Sequence, residues 1–134
     1  MLLAFAARKQ SLFSLVWRDQ LDFLAPAYAI NEALSSECVS SLSTDAWPGT
    51  RLIGHKATVN VYNLSPSAVE LLGCPGRLFA WRAPRLPEDL AFYVAPDRPW
   101  LGSIAHESDA FLYADAIDVA EVCAHVPGFE LAAG

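Results

Sequence analysis

From Leu90 to Tyr113 the chain reads LAFYVAPDRPWLGSIAHESDAFLY, and its pattern predicts three short strands joined by tight turns at 95–99 and 106–109. Strict alternation assigns Leu90, Phe92, Val94, Trp100, Ile104 and Leu112 to one face of the ribbon. Ala91, Tyr93, Leu101, Ala105, Phe111 and Tyr113 then share the other. An antiparallel sheet with one wet side alternates apolar with polar residues. Here both sides are apolar, so the second face needs a cover: a helix layer, a partner chain or a ligand.

Elsewhere the spacing changes along the chain. Between Ser11 and Leu24, residues Leu12, Phe13, Val16, Trp17, Leu21, Phe23 and Leu24 fill half of a helical wheel, which predicts a helix buried against more than one element. Pro26 opens a second helix, whose apolar stripe is Ala27, Ile30, Leu34, Cys38 and Leu42. Residues 43–50 (STDAWPGT) predict a loop. Alternation resumes after Arg51, with Val59 and Val61 on one side of a strand and Thr58, Asn60 and Tyr62 on the other. Ser65 followed by Pro66 is an N-cap with proline at the first helical position, and the short helix stops at Gly73. RLFAWR at 77–82 predicts another strand, and APRLPEDL a proline-rich connection. A last helix starts near Asp115 or Asp118 and reaches His125, with Val119, Val122, Cys123 and Val126 buried and Pro127–Gly128 as its stop. The tail FELAAG suits an edge strand or a frayed end.

Consecutive strands with short turns and segregated helices predict an α+β fold. Its antiparallel sheet of about four or five strands carries N-terminal helices and a C-terminal helix. No linker divides residues 1–134, so a single domain is expected. At this length the chain needs no disulfide or metal for stability.

Composition narrows the function classes. Hydrophobic residues make up 54% and charged residues 18% of the chain, which excludes disorder and implies extensive burial. A net charge of −6 disfavours nucleic acid as a partner, because phosphate binding needs a basic patch. Arg77, Arg82 and Arg85 form a local basic cluster that reads as a solvated edge. Cys38, Cys74 and Cys123 are three widely spaced cysteines without a C-x-x-C pair, which fits reduced thiols in a cytoplasmic protein. The apolar run Leu2–Ala7 is too short, and wrongly ordered against Arg8 and Lys9, for a secretory leader. No window resembles a membrane span, so no membrane association is expected.

Candidate chemistry is sparse. His106, Glu107, Ser108 and Asp109 make the densest cluster of proton-transfer groups, with His106 as a general base and Glu107 or Asp109 to orient it. Neighbouring strand residues point to opposite faces, and a polar hairpin tip explains the same residues without catalysis. Cys74 lies past a helix C-terminus, the wrong end to stabilise a thiolate, and Cys38 and Cys123 sit on apolar helix stripes as packing residues. His55, His106 and His125 are isolated, so neither a metal nor any other cofactor is expected. Gly73–Gly76 is too short to cradle a phosphate, and Gly102–Ser103 falls inside a strand instead of a nucleophile elbow.

Tyr93, Leu101, Phe111 and Tyr113 on the second face are the candidate binding residues, since aromatic side chains combine a large apolar body with a polar handle. The expected function is therefore a small binding module of a bacterial accessory or immunity kind. It docks a protein partner or self-associates, as a homodimer for example. Two alternatives stay open: a small-ligand binder with an aromatic-lined cavity, and a small hydrolase or isomerase using His106 with Glu107 or Asp109.

Overall fold

The computed structural model describes residues 2–126 of the chain. Its centre is a six-stranded antiparallel sheet with spatial order β2-β5-β1-β6-β7-β8. In chain order the strands of this sheet are β1 (Leu12–Arg18), β2 (Cys38–Thr44), β5 (Ala57–Asn63), β6 (Glu88–Ala95), β7 (Arg98–Ile104) and β8 (Asp109–Leu112). A two-stranded hairpin, β3 (Ala46–Trp47) and β4 (Thr50–Arg51), forms a separate small sheet. The helices are α1 (Leu2–Arg8), α2 (Ala25–Leu34), α3 (Pro66–Gly73) and α4 (Val119–His125). The α+β class is as expected, with more strands than the four or five anticipated.

All four helices contribute to one large core on one side of the sheet. Phe5, Leu34, Leu72 and Val122 meet Phe13, Tyr62, Phe92 and Trp100 there. Aromatic contacts organise it: Phe13 stacks on Tyr62 with centroids 5.0 Å apart, and Phe92 on Trp100 at 5.5 Å. A smaller core of Val16, Trp47, Ala57 and Val59 includes a residue of the β3–β4 hairpin.

Several local signals read as expected. Ser65 Oγ accepts from the amide of Ala68 at 3.2 Å and Pro66 opens α3, which ends at Gly73. Asp118 caps α4 through its carboxylate, which accepts from Ala120 N at 3.0 Å. Val59 and Val61 share a face of β5, and β6, β7 and β8 form the anticipated meander. The helix stop at Pro127–Gly128 and the FELAAG tail lie outside the described residues.

Other expectations are corrected. The helix predicted from Ser11 is β1, a central strand between β5 and β6. A strand covered on both sides is a near-continuous apolar run, and such a run also fills a wide arc of a helical wheel. The helix predicted from Pro26 ends at Leu34 instead of continuing through Cys38 and Leu42. There Ser35 Oγ donates to Glu32 O at 2.8 Å, a 3-10 turn follows, and the serine-rich segment beyond is β2. Residues 43–50 are not wholly loop, since they contain β3 and its Pro48–Gly49 turn. RLFAWR is not a strand: Leu78–Ala80 form a 3-10 turn between Gly76, at φ +76°, and Pro84. Cys38 and Cys123 are exposed, not packing residues.

Candidate functional site

Two β-bulges decide which side chains meet. Ser14 pairs with Ala91, and unbroken register would bring Val16 opposite Asp89; instead it faces Glu88. The additional residue in β6 is absorbed at Asp89, which takes a left-handed φ of +52°. Aspartate tolerates this conformation better than most residues do. Glu88 and Asp89 therefore belong to a strand, not to the proline-rich connection predicted for them.

Both carboxylates reach the same turn, the 3-10 segment Ala105–Glu107. Asp89 Oδ1 accepts from Ala105 N at 2.9 Å, and Glu88 Oε1 lies 2.7 Å from His106 Nε2. Asp89 Oδ2 accepts from Trp47 Nε1 at 3.0 Å, with Arg18 at 3.7 Å and stacked over the Trp47 ring. The result is a polar node of Arg18, Trp47, Glu88, Asp89 and His106, buried at its two carboxylates and drawn from β1, β3, β6 and the 105–107 turn.

The Glu88 side chain is fully buried, whereas that of His106 is 45% exposed. Glu88 Oε2 has no hydrogen-bond partner among the described residues. Burial raises the Glu88 carboxyl above the ordinary glutamate range, against the opposing pull of the His106 hydrogen bond. Chemically, the pair fixes one imidazole nitrogen and leaves the ring half-exposed, an arrangement able to hold or pass a proton. His106 is thus oriented by Glu88, a residue the sequence expectation did not include. The structure shows neither Glu107 nor Asp109 bonded to it. Cys74 donates to Glu70 O at 3.5 Å, and so engages its own helix. Among the described residues, no three metal-ligating side chains converge.

The second bulge redistributes the predicted binding face. Phe92 pairs with Leu101 while Tyr93 pairs with Pro99, so Trp100 is the additional residue. Leu101 then turns to the helix side beside Phe92 and is fully buried, not on the face of Tyr93. By the same slip Gly102 and Ile104 turn to the opposite side with Phe111, because a one-residue shift exchanges faces. Tyr93 is nearly buried, its hydroxyl 2.9 Å from Ser14 Oγ, and burial raises its phenol pKa. Phe111 and Tyr113 are half-buried and stacked at 5.6 Å.

Around Phe111 the apolar second face carries a cover made by the chain itself, and a cleft of about 180 Å³ stays open between that cover, Tyr93, Val61 and Leu42. A methyl group built at Gly49, or at Gly102, would approach the Phe111 ring to 2.5 Å. Pro48 lies close over Gly102 in the same layer. The Trp47–Gly49 segment is therefore pressed onto Phe111, and the φ of +88° at Gly49 allows the turn to lie that close.

The sheet edge is open as well. All but the last residue of β2 are exposed, including Val39 at 48% and Leu42 at 62%. This edge was hidden in the sequence because Cys38 and Leu42 complete a helical stripe with Ala27, Ile30 and Leu34. Among the described residues no helix is long and apolar enough to cross a membrane. Comparison of the chain with family models, curated proteins and solved structures gives no match.

Proposed function

We propose that this protein is a non-enzymatic interaction module that self-associates by pairing β2 with β2 of a second copy. The supporting observation is the strand itself: seven residues, CVSSLST, at the rim of the sheet and without a charge or a proline. Edge strands are ordinarily guarded by charge, proline, brevity or a bulge, because their free amides and carbonyls recruit other strands; β2 has a register shift between Cys38 and Ser40, which leaves Ser40–Thr44 as its regular edge. The opposite edge is guarded in this way, since β8 has only four residues and begins at Asp109. Two copies of a chain with net charge −6 repel each other, and β2 is an uncharged strip on which they can meet. The exposed Leu42 side chains gain cover in such a pair.

Light scattering across a concentration series tests this. A dimer is expected, together with slower alkylation of Cys38 as concentration rises, and Leu42→Lys should return the chain to monomer. A wild-type chain that stays monomeric, with Cys38 alkylated at one rate at every concentration, would falsify the proposal. Free thiols at Cys38, Cys74 and Cys123 suit a reducing compartment such as the cytoplasm. A small hydrolase or isomerase is the second reading, supported by the 2.7 Å contact of His106 with Glu88. Its test is His106→Ala, which must abolish any turnover found for the wild-type chain.

A further inference from the structure

We infer that a cavity on the helix side of the sheet binds a small hydrophobic carboxylate, with its tail among apolar side chains and its carboxylate on Arg77. The cavity is an open cleft of about 290 Å³, near the lower end of small-ligand sites. Its wall includes Leu3 of α1, Leu72 of α3, Leu78 and Trp81 of the 77–81 turn, and Phe92 of β6. Arg77 is the one charged residue in that lining. It is exposed and forms no salt bridge among the described residues. Gly76, at φ +76°, makes the turn that leads from α3 to Arg77.

The class of ligand follows from charge and shape. A cavity walled by apolar side chains, with a single arginine in its lining, complements an amphiphile with one anionic head. A carboxylate fits the planar fork of arginine in two parallel hydrogen bonds. Gly73 brings the carbonyl end of α3 to the same lining, and its partial negative charge opposes any anion, a phosphate dianion more strongly than a carboxylate with a single charge, so Arg77 has to outweigh it. This site is separate from the β2 edge, so it stands or falls independently of self-association.

The test uses the full chain with octanoate and with octan-1-ol, a neutral probe of the same length, followed by calorimetry and by NMR of the Trp81 indole. Octanoate is expected to bind, to shift the Trp81 signal and to exceed octan-1-ol in affinity by roughly tenfold or more. Arg77→Gln, a surface substitution, should erase that preference while leaving octan-1-ol binding in place. Leu3→Trp should fill the chamber and weaken both probes, with unchanged circular dichroism as the control for folding. Failure of octanoate to bind, equal affinity for the two probes, or undiminished octanoate binding by the Arg77→Gln chain would each overturn the inference.

Discussion

Trp47 and Asp89, separated by 42 positions in the chain, are joined by a buried hydrogen bond of 3.0 Å from indole Nε1 to carboxylate Oδ2. The bond ties the β3–β4 hairpin to the bulge in β6 and so holds the cover over the second face of the sheet. Asp89 can serve this purpose because its left-handed φ lets the side chain reach Trp47 with one oxygen and Ala105 N with the other.

Removing the indole donor should therefore be costly. Trp47→Phe leaves Asp89 Oδ2 with only the distant Arg18 group, at 3.7 Å. A buried acceptor deprived of its donor costs about 1–3 kcal/mol, and urea denaturation should show a loss of that size. A double-mutant cycle with Asp89→Asn isolates the bond from the lost aromatic packing. Strict additivity of the two substitutions would mean that Trp47 and Asp89 are not coupled.

The Glu88–His106 pair predicts a pH dependence whose sign follows from the raised carboxyl of Glu88. Burial is the larger influence, with His106 and Arg18 opposing it and Asp89 adding to it. The folded chain thus holds this proton more tightly than the unfolded chain. Stability from Glu88 is complete below the ordinary glutamate value and is lost as pH rises through the higher folded one. Glu88→Gln keeps the site neutral throughout. The variant should lose less stability than wild type as pH rises from the ordinary glutamate range through the higher folded value, and should be the more stable of the two once Glu88 is ionised. Parallel stability curves would show that Glu88 ionisation is not linked to folding.

Gly102 and Phe111 predict an overpacking effect. A methyl group at Gly102 would lie 2.5 Å from two ring carbons of Phe111 and 3.1 Å from Pro48. Gly102→Ala should destabilise the fold by about 1–3 kcal/mol, as expected for added volume in a filled layer. Adding Phe111→Leu makes room and should recover part of the loss. If Gly102→Ala proves neutral in thermal unfolding, the hairpin does not lie tightly on this face.

The cap of α3 gives a smaller, local prediction. Ser65→Ala removes the acceptor for Ala68 N and should cost about 1 kcal/mol in chemical denaturation. Ser65→Asp, which keeps an acceptor at the helix N-terminus, should restore most of it. Equal stability of the alanine and aspartate variants would rule out a contribution from the cap.

Where signal and structure lie within a few residues of each other, the amino-acid order was enough. Ser65–Pro66 opened α3, the alternation through Val59 and Val61 made β5, and the punctuated apolar runs after Glu88 made the β6–β8 meander, because each rests on adjacent backbone and turn chemistry. The α+β class followed from that order of elements. Burial on both sides, by contrast, is a property of neighbours: β1 is a strand because β5 and β6 flank it, and its apolar run alone fits a helix equally well. The bulges at Asp89 and Trp100 carry no glycine to mark them, yet they moved Leu101 into the helix-side core and turned Ile104 and Gly102 towards the hairpin. Only the assembled sheet could bring Glu88 to His106 and Trp47 to Asp89, since such pairings depend on register across strands, which local sequence does not encode.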